Sequence, residues 1–144
     1  MTASEDPVQF HLQSVAVGTD CALLRIGGEV DVYTAPQLRE RIISLLRDDF
    51  RYIITDLHDV SFLDSTGLGA LVGSLKRVRQ KDGSLALVTG SGTILRILSL
   101  TALDRVFTLR SSVEQAISDD QHWLAALAAE GLTGEEWCRK HGVL

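Results

Sequence analysis

Residues 56–71, DLHDVSFLDSTGLGAL, decide the fold because they join a strand to a helix. The apolar run at residues 52–54 just before them predicts a buried strand. From Leu68 to Val78, apolar residues recur at the spacing of one helix face. Between these segments, residues 64–67 (DSTG) supply three residue types that start helices, and then a glycine. The sequence therefore predicts a helix that begins here, with the Ser65 hydroxyl in its first turn.

Length and composition predict one globular domain. A chain of 144 residues buries roughly 70% of the surface of its unfolded form. Hydrophobic residues make up 45% and charged residues 23%, which is ordinary globular usage. No apolar run approaches the ~20 residues that span a bilayer, and residues 1–6 (MTASED) have neither the basic nor the apolar part of a signal peptide. We therefore expect a cytoplasmic protein without a membrane segment.

Charge and cysteine content argue against nucleic-acid binding and metal binding. The formal net charge is -5, and the one basic cluster, residues 76–81 (KRVRQK), falls on the polar side and end of the predicted second helix. A solvated helix face explains this cluster, so we expect no nucleic-acid partner. Cys21 and Cys138 are far apart and match neither metal-binding nor redox spacing. Cys21 lies in a predicted strand and is expected in the core, whereas the state of Cys138 is open.

Turn residues and apolar runs along the chain predict alternating strands and helices. The predicted strands are at residues 8–16, 21–26, 52–55 and 84–88, with a last one indicated by Leu103 and residues 106–109. The predicted helices are at residues 35–47, from Ser65 onward, at 94–100, and at 113–117 after the cap Ser112. Helices that alternate with short apolar strands imply an α/β fold with a mixed, mostly parallel sheet. The first two strands form a hairpin that adds an antiparallel edge.

Local patterns around the first helix make more detailed predictions. Residues 27–31 (GGEVD) are expected to end the second strand. Thr34 is a candidate N-cap, and Gln37 three residues later completes a capping box. Pro36 suits the first helical turn. The expected buried stripe consists of Leu38, Ile42, Leu45 and Leu46.

The C-terminal residues form a part of their own. We divide the chain into a leader at residues 1–7, a domain at 8–118 and a short helical extension at 119–144. Both tryptophans, Trp123 and Trp137, lie in the extension. One alternative is a helical pair folded over the domain. The other is an arm that docks a partner or forms a dimer.

The sequence offers no complete catalytic or phosphate-binding motif. No Gly-x-Ser-x-Gly nucleophile elbow surrounds Ser65, and His58 before it is expected to be a solvent-exposed loop residue. Residues 67–73 (GLGALVG) miss the glycine spacing of a dinucleotide-binding loop by one residue. Residues 90–93 (GSGT) lack the lysine of a phosphate-binding loop. We therefore expect no enzyme activity.

A metal site is also disfavoured. The sequence has 4 histidines, and none pairs with another at metal-ligand spacing. The carboxylates that could be imagined around a magnesium ion are those of Asp31, Asp56, Asp59 and Asp64. Aspartate is, however, also the usual residue at strand ends and helix caps. We therefore expect neither a metal nor a cofactor.

The position of Ser65 suits a phosphorylation switch. A hydroxyl at a helix start stands near free backbone N–H groups and the positive end of the helix dipole, which can accommodate a phosphate. Phosphorylation would add about -1.5 to -2 charges beside Asp64. A partner surface complementary to the neutral site would then meet an unpaired anion. The small residues Gly67 and Gly69 would let a partner approach the backbone. From the residues alone, the simpler alternative is that Ser65 is a plain N-cap.

The residues around Ser65 resemble the signature of the STAS domain of bacterial anti-sigma factor antagonists. The matching segments are residues 28–31 (GEVD), the strand at 52–56, residues 60–69 (VSFLDSTGLG), and residues 98–100 with Phe107. The resemblance covers roughly residues 8–118, so nothing carries over to residues 119–144. It implies a small mixed sheet with helices packed against one side, in agreement with the predicted order of elements.

The resemblance also implies a mechanism. In this family, the serine that follows the aspartate is phosphorylated by an anti-sigma factor that is itself an ATP-dependent serine kinase. By position, the acceptor is Ser65, and Thr66 is the competing hydroxyl. The unmodified antagonist binds the anti-sigma factor and frees the sigma factor, and a serine phosphatase resets the switch. ATP belongs to the kinase, so the antagonist needs no cofactor. The residues implied in partner binding are Asp31, Asp64, Ser65, Thr66, Gly67 and Leu68.

The family also contains proteins that do not switch. The alternative function is therefore a non-switching STAS scaffold subunit of a stress-signalling or lipid-transport complex, in which Ser65 is only a cap. A weak homodimer is left open.

Overall fold

A computed structural model describes residues 9–90 and 92–143 of the chain. The strands are β1 (His11–Val17), β2 (Cys21–Val30), β3 (Tyr52–Leu63), β4 (Ser84–Val88) and β5 (Thr108–Arg110). The α-helices are α1 (Ala35–Arg47), α2 (Ser65–Gln80), α3 (Gly92–Leu100), α4 (Val113–Ser118), α5 (Gln121–Ala129) and α6 (Gly134–Lys140). The predicted leader, Val8 of the predicted first strand, and Ser91 lie outside the described residues.

The strands form one 5-stranded mixed sheet in the order β1-β2-β3-β4-β5. Strands β1 and β2 pair antiparallel through a hairpin, whose turn contains Gly18 at φ 62. The pairs from β2 to β5 are all parallel. Parallel neighbours need crossover connections, which the helical segments between these strands supply. The predicted α/β fold with a mostly parallel sheet and an antiparallel edge is confirmed.

Helices cover both faces of the sheet. Strand side chains point alternately to the two faces, and both faces carry apolar side chains that must be buried. In β3, Ile53 and Leu57 belong to a core shared with α1, α2 and α3. Ile54 belongs to a second core, shared with α4, α5 and α6. The first face has the arrangement that the family resemblance implied. The second face carries α4 and the C-terminal helices, which that expectation did not include.

Helix α1 has the predicted bounds, with Pro36 in its first turn, but its predicted capping box is wrong. The buried side chains include the predicted stripe of Leu38, Ile42, Leu45 and Leu46. Thr34 holds the N-cap position, yet its side chain makes no capping hydrogen bond. Its hydroxyl instead donates to the Glu29 carbonyl at 2.8 Å and accepts from the Asp31 amide at 2.9 Å. The Thr34 hydroxyl is therefore hydrogen-bonded to residues at and just after the end of β2, and it is not available to cap the helix.

Two strands run further than predicted. Strand β2 passes through its glycine pair to Val30, and β3 continues to Leu63 instead of ending near Thr55. The two extensions pair with each other beyond the end of β4, so each supplies backbone hydrogen bonds that local sequence did not indicate. Gly28 stays in the strand at φ 87, and the register shifts twice along this pair. His58, which was expected in a loop, therefore lies in a strand.

The last predicted strand is shorter than expected. Leu103 belongs to a 3-10 turn at Leu103–Arg105, and β5 covers only Thr108–Arg110. The apolar residues Leu103 and Phe107 therefore pack in the first core from the turn before β5, not from a strand. The neighbouring predictions are confirmed, since β4 has the predicted bounds and Ser112 caps α4 by accepting from the Gln115 amide at 3.0 Å.

Helices α5 and α6 pack on the second face through two buried tryptophans. Trp123 and Trp137 are 0% and 2% exposed, and their rings meet edge to face at 5.3 Å. The Trp123 indole N–H donates to the Tyr52 carbonyl at 3.1 Å, which ties α5 to β3. The structure thus has these helices folded over the sheet, as in the first alternative for residues 119–144. The domain boundaries themselves stay predictions.

Candidate functional site

The candidate site lies where β2 and β3 end side by side. Val30 pairs with Leu63, and the Asp64 amide donates to the Val30 carbonyl at 3.2 Å. Parallel strands end at the same edge of a sheet, and ligands commonly bind at that edge. The loop that begins at Asp31 and the first turn of α2 are therefore neighbours. The structure brings Asp31 and residues 64–68, all predicted as site residues, to one edge.

Asp64, not Ser65, caps helix α2. Its carboxylate accepts a hydrogen bond from the Gly67 amide at 2.8 Å, in the manner of an N-cap. Ser65 is the first helical residue, so its interpretation as a plain N-cap is wrong. The Ser65 hydroxyl is thus not needed to start the helix.

Ser65 is exposed, and its hydroxyl makes no hydrogen bond with another described residue. The backbone amides of Ser65 and Thr66 likewise have no partner among the described residues. Free N–H groups at a helix start are donors that favour an anion. A phosphate on Ser65 would therefore find donors in its own helix turn. Thr66 is only half-exposed, which makes it the less accessible of the two hydroxyls.

The glycines of the first helical turns have different roles. Gly67 is buried, and a Cβ there would collide with the Val30 carbonyl oxygen and with the Leu63 side chain. Our expectation that Gly67 lets a partner approach the backbone is therefore wrong, because this position faces β2. Gly69 does have that openness, with no atom within 4 Å of an added Cβ. Leu68 is half-buried and packs against the first core.

Asp31 holds the loop next to Ser65. Its carboxylate accepts from the Tyr33 amide at 2.9 Å and from the Thr34 amide at 3.1 Å. An aspartate that bonds to amides two and three residues ahead fixes a tight turn. Asp31 thus has a structural role in shaping the surface at this edge, in addition to the partner contact predicted for it.

Three large apolar side chains are exposed on the segments that meet at this edge. Val32 is 55% exposed and Tyr33 84% exposed in the loop after β2, and Phe62 is 46% exposed near the end of β3. We call Val32, Tyr33 and Phe62 the apolar rim. Large apolar side chains exposed on segments that meet are candidates for a protein interaction site. The sequence interpretation missed the rim, although a Val-Tyr pair between a strand and a helix was a visible signal.

The site is acidic. Among the described residues, the ion pairs leave out both Asp31 and Asp64. A phosphate on Ser65 would therefore add its charge to a surface that already carries unpaired carboxylates.

In residues 9–90 and 92–143, no three His, Cys, Asp or Glu side chains are arranged to hold a metal ion. His58 is exposed as expected but lies in β3, not in a loop, and its ring fills the space beside Gly90. Across the same described ranges, no helix is long and apolar enough to cross a membrane.

Neither cysteine is a reactive thiol. Burial, together with the Asp20 carboxylate, raises the pKa of Cys21 to about 12. Burial and the Glu114 charge raise the pKa of Cys138 to about 11. The expectation that Cys21 lies in the core is confirmed, and the open question about Cys138 has the same answer. Because the thiolate is the nucleophile, both cysteines are inert near neutral pH.

Known proteins with similar sequence or structure agree on one family. A family model described as STAS domain matches residues 14–116. The anti-sigma-B factor antagonist of Staphylococcus aureus is 38% identical over 91 residues, 63% of this chain and 84% of that protein. The protein of the same name from Bacillus subtilis is 38% identical over 94 residues, 65% of this chain and 85% of that protein.

A solved structure gives the same fold. The crystal structure of an anti-sigma factor antagonist from Mycobacterium paratuberculosis matches with a TM-score of 0.65, at 24% identity, over 77% of this chain and 93% of that chain. The family model ends at residue 116, so helices α5 and α6 lie outside it. The family model nevertheless matches more than half of the chain, and the chain covers most of the length of each relative. The chain therefore belongs to the STAS domain family.

Proposed function

We propose that this chain is an anti-sigma factor antagonist that binds its anti-sigma factor through the edge of the sheet around Ser65. Two relatives that it mostly covers are named anti-sigma-B factor antagonists. The observation that carries the proposal is the Ser65 hydroxyl, which is exposed and free of hydrogen bonds while Asp64 caps the helix. A serine without a structural task at such an edge is available to a partner.

The unmodified site offers a surface of the kind that protein partners use. Stable interfaces combine a desolvated apolar centre with a polar surround. The apolar rim supplies the first component, and the carboxylates of Asp31 and Asp64 supply the second. Each square ångström of apolar surface removed from water contributes about 25 cal/mol. The partner would therefore gain most of its binding energy from the rim, whereas the acidic groups select a basic counterpart.

Phosphorylation of Ser65 would switch this binding off. The anti-sigma factor, acting as a kinase, transfers the terminal phosphoryl group of ATP to the Ser65 oxygen and releases ADP and the hydroxyl proton. The phosphate adds about -1.5 to -2 charges, close to two carboxylates that lack ion-pair partners. Desolvating such an anion against a surface built for a neutral serine costs about 2–5 kcal/mol, which weakens binding by tens to thousands of fold. The free amides of the first turn let helix α2 tolerate the phosphate.

The rest of the cycle belongs to other proteins. The kinase supplies ATP, and a serine phosphatase removes the phosphate, so this chain acts as a substrate and ligand in the cytoplasm, without catalysis or a cofactor of its own. Its regulatory output is the sigma factor that the anti-sigma factor releases.

The proposal is tested by mapping the phosphate. The chain is incubated with ATP and each candidate anti-sigma kinase of the same cell, and the modified residue is identified by mass spectrometry. We expect modification at Ser65, none in Ser65→Ala, and full modification in Thr66→Ala. Modification of Thr66 alone would move the acceptor by one residue. If every such kinase leaves both hydroxyls unmodified, the switch is refuted and the non-switching scaffold is favoured.

A further inference from the structure

A second site lies on the face of the sheet that α5 and α6 cover. It is a cavity of about 340 Å³ with polar and apolar walls. Its volume is at the lower end of the range for small-molecule sites. The lining residues that matter here are Arg25, Asp56, Asp59, Val88, Val113 and Val143. We call it the polar cavity.

Asp56 is the polar group that most needs an explanation. It is only 7% exposed, and one carboxylate oxygen accepts from the His58 amide at 3.0 Å. The other oxygen faces the Arg25 Nε at 3.9 Å, beyond hydrogen-bonding distance. Burial raises the pKa of this carboxyl, with the Asp59 charge adding to the rise and the His58 amide and Arg25 opposing it. A buried carboxylate with a weakly held partner is costly, and such groups cluster at functional sites.

Arg25 is equally underused. Its Nη1 donates to the His141 carbonyl at 3.5 Å, the upper limit of a hydrogen bond, and no other hydrogen bond of its guanidinium joins it to a described residue. The guanidinium therefore has donors left in a fork that matches a carboxylate. Arg25 and Asp56 are register partners in β2 and β3, so an anion site and a cation site lie side by side.

A register shift aims further polar groups into the polar cavity. Arg25 pairs with Asp56, but Gly27 pairs with Asp59, so β3 carries one extra residue here. Such bulges redirect side chains and are common next to functional sites. His58 lies two residues after Asp56 and would share its face in a regular strand. Asp59 would point to the opposite face, and the shift brings it to the same cavity.

The rest of the polar cavity is lined by Ser111 and Ser112 and by an apolar wall. Val88 and Val113 are each 2% exposed and belong to the second core, and Val143 packs against that core. Gly142 and Val143 close the polar cavity from the C-terminal side. These two residues lie beyond the part of the chain that matches the STAS domain, so this wall is a feature added to the family fold.

We propose that the polar cavity binds a free α-amino acid with an aliphatic side chain. The ligand carboxylate binds the Arg25 guanidinium, and the ligand ammonium donates to the unbonded oxygen of Asp56. The two groups of an α-amino acid are separated by a single carbon, which suits two protein groups 3.9 Å apart. The aliphatic side chain packs against the valines. This site is separate from Ser65, and the proposal does not depend on the phosphorylation switch.

The experiment is a calorimetric titration of the full chain with L-leucine and two matched analogues. The compound 4-methylpentanoate lacks the amine, and 3-methylbutylamine lacks the carboxylate. We expect L-leucine to bind with a Kd of about 1 mM or tighter and each analogue to bind at least ~10-fold more weakly, because one charged hydrogen bond is lost. No binding of L-leucine, or equal binding of all three compounds, would overturn the proposal.

Substitutions locate the site. Asp56→Asn and Arg25→Gln should each weaken L-leucine binding by ~10-fold or more, while Asp104→Asn, an exposed acid on the 3-10 turn, should leave it unchanged. Leucine binding that survives both cavity substitutions refutes the site. If a variant fails to fold, the site is located instead from the changes that L-leucine causes in the amide chemical shifts of the unaltered chain. L-leucine should then move the amide signals of His58, Ser112 and Gly142, and shifts confined to other residues would contradict the assignment.

Discussion

The edge around Ser65 and the face covered by α5 and α6 use large apolar residues in opposite ways. At the first, Val32, Tyr33 and Phe62 are 46–84% exposed, and the Ser65 hydroxyl makes no hydrogen bond with another described residue. At the second, Trp123 and Trp137 are almost fully buried, and the Trp123 N–H is satisfied by a strand carbonyl. The contrast teaches that residue type alone does not mark an interface. What marks it is whether the chain itself supplies the packing partner.

The largest expected effect is on the closed face. Trp123→Ala should lower the free energy of unfolding by about 3–5 kcal/mol, because it empties a fully buried site. Its neighbour Leu124 is 43% exposed, so Leu124→Ala should cost no more than ~0.5 kcal/mol. Chemical denaturation of the two variants measures both. Similar losses for the pair would mean that α5 is not anchored as described.

The next effect separates two glycines of the open edge. Gly67→Ala should destabilise the fold by about 1–3 kcal/mol, because the new methyl group meets the Val30 carbonyl and Leu63. Gly69→Ala should instead stabilise by about 0.5–1 kcal/mol, because its Cβ meets nothing within 4 Å and alanine favours the helix. Thermal unfolding of both variants is the measurement. A shift of the same sign in the two would contradict the packing of α2 against β2.

A smaller effect separates the cap, Asp64, from the proposed acceptor, Ser65. Asp64→Ala should cost about 1 kcal/mol, because the Gly67 amide loses its partner. Ser65→Ala should stay within ~0.5 kcal/mol, since the serine hydroxyl is exposed and unbonded. Urea unfolding curves of the two variants measure both losses of stability. A loss at Ser65 as large as that at Asp64 would return the capping role to the serine.

The smallest effect concerns pH and the covered face. Because burial raises the Asp56 pKa above 3.8, the native state holds this proton more tightly than the unfolded state does. The stability that Asp56 contributes below its ordinary pKa is therefore lost as pH rises through its native pKa. Asp56→Asn removes this term. The free energy of unfolding of Asp56→Asn, minus that of the unaltered chain, should therefore increase as pH is raised from 3 to 7. A difference that is constant with pH would contradict the raised pKa.

Local patterns predicted much of this fold. The bounds of α1 and β4, the caps around Ser112 and the helix start after β3 depend on neighbouring residues alone, and all were predictable. The extended strands were not. The glycine pair in β2 normally signals a break, but Gly28 stays paired because β3 lies alongside it. That partner is distant in sequence, so no local pattern reveals it.

The candidate site shows the same division. The resemblance of residues 60–69 to a known signature predicted Ser65 as the phosphate acceptor, and helix-start chemistry was consistent with that prediction. The sequence could not say which of Asp64 and Ser65 is the cap, because both residue types favour that position. Nor could it show that Gly67 faces β2, or that the Thr34 hydroxyl is taken by Glu29. The cap and the position of Gly67 depend on how β2 and α2 meet in space, and the Thr34 hydrogen bond depends on how β2 leads into α1.

The most direct test of the switch is one affinity measured twice. The anti-sigma factor is titrated with the unmodified chain and with the chain fully phosphorylated on Ser65, in the same salt. We predict that phosphorylation weakens binding by tens to thousands of fold, corresponding to about 2–5 kcal/mol, and that Ser65→Ala binds as tightly as the unmodified chain. Equal affinity of the phosphorylated and unmodified chains would contradict the account.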